Sequence, residues 1–347
     1  LTDGTVKCFG AGGNGQLGNA ATATVGFPLN PVTDGSVVVA DAVHMDIGQY
    51  HGCAARLGGG VACWGLGTNG QLGDGTVVGK NYAVPVSTLT GAVMVATGDY
   101  HSCALLANGT VECWGYNFYG ALGNGTTTQS STPVAVTGLT GVTSIAAQGY
   151  STCALLVDGT VQCWGRNQSG QLGNGTTIQS TTAVGVVNVT TATPLVGAIK
   201  LAGGRFFGCA LLVGGTIKCW GEGTAGQMGN GTTTITNSSA VVTGGNDYVD
   251  VVAGFTHACA TRTSGSNVCW GENAQGQLGD TTTTDRLVPT ATVVSSTSDL
   301  AAGGDHSCAL HTDGSAECWG EAISGQVGDG VTTDHDLVTP DFVLYFP

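Results

Sequence analysis

The cysteines are the residues whose type and spacing most clearly indicate chemistry. There are 13 of them, and twelve form six pairs whose members lie ten positions apart: Cys53 and Cys63, Cys103 and Cys113, Cys153 and Cys163, Cys209 and Cys219, Cys259 and Cys269, and Cys308 and Cys318. A zinc site would need four ligands with short spacings, such as two cysteines separated by two residues, and these are absent. Burial of cysteine as a small apolar side chain explains one site better than six matched pairs. We therefore predict six disulfides.

The residues between paired cysteines indicate the element that holds each pair. Asn108-Gly109, a dipeptide typical of hairpin turns with positive φ at both central residues, lies midway between Cys103 and Cys113. The apolar run before this turn and the alternating run after it predict two antiparallel strands. Directly opposed residues of such strands have Cβ atoms about 4.5–5.5 Å apart, which allows a disulfide with little strain.

Cys8 has no partner at this spacing, because the matching position would lie three residues before Leu1. We predict that Cys8 is unpaired and that the sequence begins inside a hairpin. Residues 331–347 resemble the segment that leads into such a hairpin. We therefore expect the chain to be a piece of a longer protein whose first repeat is split.

Disulfides at this density are typical of oxidising compartments, so we predict an extracellular or cell-surface location. Asparagine sequons occur at Asn108, Asn124, Asn167, Asn174, Asn188, Asn230 and Asn237. Four of them are Asn-Gly-Thr within a repeated motif, so repetition inflates their number. Asn188 and Asn237 lie in variable segments and are the better candidates for glycosylation.

Other patterns do not assemble a catalytic or cofactor site. Residues 10–15, 65–70 and 221–226 fit Gly-x-Gly-x-x-Gly, but a dinucleotide loop opens a helix, whereas another turn follows here. One repeat position holds His51, His101, His257 and His306, and elsewhere Ser151 and Phe207. These exceptions favour a structural role over a metal or proton-relay ring. No calcium loop or nucleophile motif is present, so we predict no catalysis, cofactor or metal.

A repeat of about fifty residues positions all these side chains. Residues 103–115 recur at 153–165 and 209–221, and more divergent copies occupy 53–65, 259–271 and 308–320. The second cysteines of successive copies, counted from Cys8, are 55, 50, 50, 56, 50 and 49 residues apart. A glycine-rich turn such as Gly-Gln-Leu-Gly-Asn-Gly-Thr at 170–176 follows each copy. The sequence therefore contains seven copies.

Each copy predicts three or four short antiparallel strands, and such a unit cannot bury its apolar face alone. Stacked units bury a common core, and a ring of them leaves few sheet edges. We predict an all-β fold, a seven-bladed β-propeller that forms a single domain over residues 1–347. An open β-solenoid is the alternative, although its repeats are usually shorter.

The repeat resembles that of the regulator of chromosome condensation family. The pattern is Gly-x-x-His-x-Cys-Ala-Leu, Asn/Asp-Gly-Thr-Val, Cys-Trp-Gly and Gly-Gln-Leu-Gly-Asn-Gly-Thr; Cys-Trp-Gly occurs six times, with Cys8-Phe9-Gly10 as a seventh version. This resemblance covers nearly the whole chain and implies a seven-bladed propeller, but not one function. The nuclear namesake is a guanine-nucleotide exchange factor for a small GTPase, and secreted bacterial relatives include β-lactamase inhibitors and cell-surface proteins. No residue here matches the exchange factor's key contacts, which lie outside the repeat consensus.

Composition and charge exclude several classes of protein. Glycine supplies 60 of the 347 residues, too many for a helix-rich protein, and without the three-residue period of collagen. The 23 acidic and 9 basic residues give a net charge of −14. Such a surface does not attract nucleic acid or anionic membranes, so neither is predicted as a partner.

Departures from the repeat mark two candidate contacts with a partner. Arg205-Phe206-Phe207 stands where Asp-Tyr-His precedes Cys103 in another copy. Tyr116, Phe118 and Tyr119 form an aromatic cluster where other copies have polar residues. Aromatic residues and arginine are enriched at protein interfaces, with local packing as the alternative explanation.

The function that fits these observations is a non-catalytic extracellular or cell-surface β-propeller that serves as a protein-binding or structural module. It could belong to an adhesin or another extracellular assembly, with a protein partner on a propeller face or with itself. The alternatives are an exchange-factor-like regulator of a small GTPase and an inhibitor of a secreted enzyme. An enzyme on this scaffold would need clustered carboxylates on one face.

Overall fold

The computed structural model describes residues 4–28, 39–295 and 297–330, and its strands form six antiparallel sheets, which we call blades. Blade 1 consists of β1–β4 (Ala42–Ile47, His51–Arg56, Val61–Gly65, Lys80–Pro85), and blade 2 of β5–β8 (Ala92–Thr97, His101–Leu106, Val111–Gly115, Ser130–Ala135). Blade 3 consists of β9–β12 (Val142–Ala147, Ser151–Leu156, Val161–Gly165, Ser180–Gly185).

The remaining three blades repeat this meander. Blade 4 consists of β13–β16 (Ala198–Gly203, Phe207–Leu212, Ile217–Gly221, Thr236–Val241), and blade 5 of β17–β20 (Tyr248–Ala253, His257–Arg262, Ser266–Gly271, Arg286–Ser295). Blade 6 consists of β21–β23 (Thr297–Ala302, His306–His311, Ala316–Gly320) within the described residues. The fold is all-β, as predicted.

The prediction of seven blades is wrong, because the described residues form six. The segment that carries Cys8 contains no strand within residues 4–28, and Gly10 makes only an isolated bridge to Val25. Cys8 therefore lies in no hairpin within residues 4–28, and the copy that carries it adds no blade among the described residues. Residues 331–347, which were expected to complete it, lie outside the described residues.

Each hairpin places its two cysteines directly opposite each other. In blade 2, Cys103 pairs with Cys113 in the register of β6 and β7, and their Cα atoms are 4.0 Å apart. The turn differs in detail from the expected one, because Asn108 keeps negative φ and Gly109 has φ +78°. The amide of Gly109 donates to the carbonyl of Leu106, which closes a turn that needs one left-handed residue instead of two.

Buried tryptophans join each blade to the turn of the preceding repeat. The indole Nε1 of Trp114 donates to the carbonyl of Gln71 at 2.9 Å, and that of Trp164 donates to Ala121 at 2.8 Å. The same bond joins Trp64 to Gln16, Trp220 to Gln171, Trp270 to Gln227 and Trp319 to Gln277. All six tryptophans are buried, so they pack between neighbouring repeats.

The chain divides into two compact units. The first comprises Leu1–Val157, Gln162–Asn167 and Ile178–Val184, with blades 1 and 2 and most of blade 3. The second comprises Asp158–Val161, Gln168–Thr177 and Gly185–Pro347, with blades 4 to 6. In both units the core consists of small and aliphatic side chains of the hairpins, packed around the disulfides and the tryptophans.

Candidate protein-interaction surface

Two positions of each blade vary in chemistry, although the backbone that carries them is constant. One directly precedes the strand with the first cysteine, as Tyr100 precedes β6, and the other follows Trp-Gly, as Tyr116 follows β7. The amide of Tyr116 donates to the carbonyl of Tyr100 at 2.9 Å. The same bond joins Leu66 to Tyr50, Arg166 to Tyr150, Glu222 to Phe206, Glu272 to Thr256 and Glu321 to Asp305. Each blade thus carries two neighbouring side chains at one place, and only their types differ.

In the first unit these positions and the adjoining loop form a surface that we call the aromatic strip. It consists of Tyr50, Tyr100, Tyr116, Phe118, Tyr119, Tyr150 and Arg166. The ring centroids of Tyr50 and Tyr100 are 5.1 Å apart, and those of Tyr100 and Tyr150 are 5.9 Å apart. Rings at these separations attract each other, so the strip is a packed group.

The rings beside Tyr150 meet edge to face. Four pairs have this geometry: Tyr116 with Tyr119, Tyr116 with Tyr150, Phe118 with Tyr119, and Tyr119 with Tyr150. Their interplanar angles lie between 64° and 89°. The guanidinium of Arg166 lies over two of these rings, 5.5 Å from the centroid of Tyr119 and 5.8 Å from that of Tyr150. Neighbouring ring edges and a cation therefore cover part of the ring faces.

A buried asparagine holds the loop that carries three of the aromatic side chains. The Oδ1 of Asn117 accepts from the amide of Leu122 at 2.9 Å, and its Nδ2 donates to the carbonyl of Thr128 at 2.9 Å. Asn117 is fully buried, whereas the neighbouring Phe118 is 64% exposed. The hydrogen bonds of the buried Asn117 therefore hold the loop in place, and Phe118 is exposed to solvent.

Two phenols of the strip, those of Tyr100 and Tyr116, have raised pKa values. Burial, followed by a hydrogen bond with Tyr50, raises the pKa of Tyr100 to about 12, and burial also raises the pKa of Tyr116. The carboxylate beside Tyr100 is that of Asp99, which is only 2% exposed. At the surface, the charge in contact with the rings is that of Arg166.

The second predicted partner contact, Arg205-Phe206-Phe207, is only partly accessible at the surface. Phe207 is fully buried and fills the position that histidine occupies in other blades, so it is not exposed. Arg205 and Phe206 are half-buried, and the guanidinium of Arg205 lies 5.4 Å from the ring centroid of Phe206 and 5.1 Å from that of Phe255. An interface role for Arg205 and Phe206 stays a prediction.

In the second unit the two variable positions carry mostly carboxylates. Burial raises the pKa of Asp305 to about 6, and the charges of Glu321 and Glu272 raise it further, whereas Arg205 opposes them. The hydroxyl of Thr256 donates to Glu272. This acidic group differs from the aromatic strip, although both occupy equivalent places in their blades.

Three of the repeated histidines, His51, His101 and His257, are buried in the core, whereas His306 is half-buried. The Nε2 atoms of His51, His101 and His257 form hydrogen bonds of 2.8, 2.8 and 2.9 Å with hydroxyls of the following blade, those of Ser102, Thr152 and Ser307. Burial lowers their pKa values to about 3, 4 and 3, so the rings are neutral. Neutral imidazoles with this packing act as structural bridges between blades.

The structure forms all six predicted disulfides, one in the central hairpin of each blade. They join Cys53 to Cys63, Cys103 to Cys113, Cys153 to Cys163, Cys209 to Cys219, Cys259 to Cys269, and Cys308 to Cys318. Cys8 is free and half-buried, and burial raises the pKa of its thiol to about 12. The cysteine chemistry of the described residues is therefore structural.

Both candidate glycosylation sites have engaged side-chain amides. The Nδ2 of Asn188 donates to the carbonyl of Pro194, and the Nδ2 of Asn237 donates to that of Gly175, each at 3.0 Å. Attachment of a glycan would use the same nitrogen atoms. Glycosylation at Asn188 and Asn237 stays a prediction.

The described residues contain no group of three or more His, Cys, Asp or Glu side chains suited to hold a metal ion. A search of the same residues for a helix long and apolar enough to cross a membrane found none.

Sequence reasoning found three members of the aromatic strip and missed Tyr50, Tyr100, Tyr150 and Arg166. Each of the three tyrosines directly precedes the histidine position of its copy. They therefore look like part of the repeat and not like departures from it. The pairing register of the hairpin strands is the signal that could have identified these residues. The pairing of Cys103 with Cys113 also places Tyr100 beside Tyr116, and the same offset applies in every blade.

Comparisons with known proteins agree with this architecture. Two sequence profiles of the regulator of chromosome condensation (RCC1) repeat match the chain, one at residues 93–121, 142–171, 198–227, 248–277 and 298–326, the other at 58–105, 108–155, 158–211 and 268–310. No curated protein matched the chain in sequence.

Similar solved structures share the fold at low sequence identity. Human WBSCR16 has a TM-score of 0.85 at 19% identity, over 99% of this chain and 94% of that chain. Prp20p of Saccharomyces cerevisiae, described with its binding to Gsp1p and histones, has a TM-score of 0.81 at 21% identity, over 96% and 85%. The CRINKLY WD40 ectodomain of the Arabidopsis thaliana receptor kinase ACR4 has a TM-score of 0.51 at 22% identity, over 84% and 81%.

Such likeness shows the β-propeller fold, whereas the family follows from the repeat profiles, which together match more than half of the chain. The chain belongs to the regulator of chromosome condensation (RCC1) repeat family.

Proposed function

We propose that the chain is a non-catalytic extracellular or cell-surface propeller that binds a protein partner through the aromatic strip. The strip itself carries this proposal. It gathers six aromatic side chains and one arginine at positions that other blades fill with different residues. Tyrosine and arginine are over-represented among residues that dominate binding energy at protein interfaces.

The disulfides support the extracellular part of the proposal, because bonds of this number persist in oxidising compartments. A related fold serves as the ectodomain of a plant receptor kinase. Prp20p, which has a similar fold, was described with its binding to Gsp1p and histones. An exchange-factor function inside the cell is less well supported for this chain, since reducing conditions oppose its disulfides.

The binding proposal can be tested with exposed-residue variants. Immobilised wild-type protein would capture a partner from the extracellular fraction of the source organism, and the affinity of the identified and purified partner would then be measured. We expect Phe118→Ser and Tyr119→Ser to weaken binding by about tenfold or more. Leu57→Ser is the matched control, because Leu57 is 79% exposed on a hairpin tip of the same unit and outside the strip.

Two results would contradict the proposal. The first is a partner whose affinity is unchanged in both strip variants, which would place binding elsewhere. The second concerns the compartment: protein isolated from its natural source should gain about 12 Da on reduction of its six disulfides. No mass change on reduction would rule out the extracellular function.

A further inference from the structure

The sequon at Asn108-Gly109-Thr110 lies in surroundings unlike those of the other sequons. Asn108 is exposed in the turn that joins β6 and β7. Its Oδ1 accepts from the amide and the hydroxyl of Thr110, at 3.0 and 2.7 Å. No group among the described residues accepts a hydrogen bond from its Nδ2. Asn108 therefore has a solvent-exposed amide nitrogen that the fold does not use.

The equivalent turn of blade 3 shows that only the oxygen of this side chain is needed. There the residue is Asp158, which has no amide nitrogen. Its Oδ1 accepts from the amide and the hydroxyl of Thr160 at 3.0 and 2.7 Å, and Gly159 has φ +76°, close to the +78° of Gly109. Because a carboxylate forms the same turn, the nitrogen of Asn108 can be modified without loss of any bond that holds the turn.

The other six sequon asparagines, all of them in the described part of the chain, are half-buried or buried. Three lie in the turn after Trp-Gly, where the glycine that follows each asparagine donates to a strand of the next blade: Gly125 to Thr181, Gly175 to Asn237, and Gly231 to Leu287. Asn167 is fully buried, and its Nδ2 donates to the carbonyl of Ile178 at 3.0 Å. A glycan is bulky and must lie in solvent once the chain has folded, so the turn at Asn108 accommodates it best.

The exposed turn lies at the opposite end of its hairpin from the aromatic strip. Tyr100 directly precedes β6 and Tyr116 directly follows β7, whereas Asn108 lies between these two strands. A strand of six residues, such as β6, spans about 20 Å. A glycan on Asn108 would therefore leave the aromatic strip open to a partner.

We infer that Asn108 is an N-glycan acceptor, which takes an oligosaccharide from a pyrophosphate-linked donor. A bond forms between Nδ2 and the anomeric carbon of the first sugar, the bond from that carbon to the pyrophosphate oxygen breaks, and the nitrogen loses one proton to a base. Oδ1 keeps its bonds to Thr110. The inference rests on the proposed function, because sequons are modified on surface loops of secreted proteins.

Peptide mapping of the full chain from its natural source tests the inference. An N-glycosidase that converts a glycosylated asparagine into aspartate marks each occupied site by a change in peptide mass. We expect a glycan at Asn108. For comparison, wild-type protein and variants are secreted from one eukaryotic cell line. Asn108→Asp keeps the oxygen of the turn, so it should lose this glycan and leave the urea midpoint of the deglycosylated protein unchanged.

The turn of blade 3 supplies the matched gain of a site. Asp158→Asn completes a sequon with Gly159 and Thr160 in an equally exposed turn, so it should add one glycan to the secreted protein. The same substitution combined with Thr160→Val lacks the sequon hydroxyl and should add none.

Three results would overturn the inference. They are an unmodified Asn108 in the natural protein, glycans at other sequons only, and an Asp158→Asn variant that gains no glycan. The proposed function is judged separately by the mass change on reduction. Six disulfides in a natural protein without a glycan at Asn108 would keep the extracellular location and reject this acceptor.

Discussion

The histidines and the hydroxyls that they contact form matched pairs along the chain. His101 bonds to Thr152 at 2.8 Å, and both side chains are fully buried. In blade 4 the histidine position holds Phe207, and the equivalent hydroxyl position in blade 5 holds Ala258; both lie in one hydrophobic cluster. The chain thus contains two solutions to one packing problem, a hydrogen-bonded pair and an apolar pair.

A double-mutant cycle can test this equivalence. Thr152→Ala leaves Nε2 of His101 buried without a partner, and His101→Phe leaves the hydroxyl of Thr152 without the ring, so each should cost about 1–3 kcal/mol of unfolding free energy. The double variant reproduces the Phe207–Ala258 pair and should cost less than the sum of the single variants by about 1 kcal/mol or more. Urea denaturation measures all four proteins.

An exposed hydrogen bond provides the control for the cycle. Asn108 accepts from the hydroxyl of Thr110 at 2.7 Å in a solvent-exposed turn. The cycle Asn108→Ala with Thr110→Val should show coupling well below that of the buried pair, because water replaces the lost bond. Additive costs at His101 and Thr152 would refute the pairing argument.

At the scale of the element, glycines in the turn after Trp-Gly serve two separate purposes. Gly123 has φ +65°, and a Cβ there would lie 2.9 Å from Nε1 of Trp164. Gly125 in the same turn has φ +81°, with no atom within 4 Å of its Cβ position. The first glycine therefore permits both the turn and the approach of the tryptophan, whereas the second permits only the turn.

Alanine substitutions should separate the two purposes. We expect Gly125→Ala to cost about 1–2 kcal/mol, the cost of a left-handed conformation. Gly123→Ala carries the same cost and also displaces the indole of Trp164, which adds about 1–3 kcal/mol. Urea midpoints give the energies, and tryptophan emission should shift only in Gly123→Ala. Equal midpoints for the two variants would show that the tryptophan contact has no energetic role.

The elements also show what the sequence could predict and why. The ten-residue spacing of Cys103 and Cys113 determines the hairpin register, so the disulfides followed from residue positions alone. The contact between the rings of Tyr100 and Tyr150 depends on how one blade packs on the next, which a repeat pattern does not encode. Phe207 was predicted as a partner contact because its type departs from the repeat, but its position belongs to the core. The Cys8 copy led to one blade too many, because a motif was counted without its hairpin.

At the scale of the whole molecule, the buried histidines should make stability depend on pH. Burial lowers the pKa to about 3 for His51 and His257 and to about 4 for His101 and His306. In the unfolded chain a histidine keeps its ordinary pKa of about 6.5, so the unfolded state takes up these protons first. Stability is therefore nearly constant between about pH 7 and 8 and falls as pH drops below about 6.5, by about 1.4 kcal/mol per pH unit for each histidine.

Carboxylates with shifted pKa values also change how stability depends on pH. Some oppose the effect of the histidines, and others add to it. The pKa of Asp305 is raised to about 6, so the folded state binds this proton first, and stability gained between about pH 6 and 4 offsets one histidine. The raised pKa of half-buried Asp46 acts with the same sign. Asp158 and Asp313 have lowered pKa values, and their loss of stability begins only near pH 4, where the unfolded carboxyls take up protons. The pKa of His44 is lowered as well, so between about pH 6.5 and 4.5 five histidines outnumber the opposing carboxylates among the described residues.

We therefore expect the urea midpoint to be flat between about pH 7 and 8 and to fall steadily between about pH 6.5 and 4.5. The double variant His101→Phe with Thr152→Ala has one buried histidine fewer, and its slope should be shallower by about 1.4 kcal/mol per pH unit. Leu57→Ser, which changes no titrating group, should keep the wild-type slope. A midpoint that stays level or rises over this range would mean that the histidines can protonate inside the folded protein, and it would contradict their role as neutral bridges between blades.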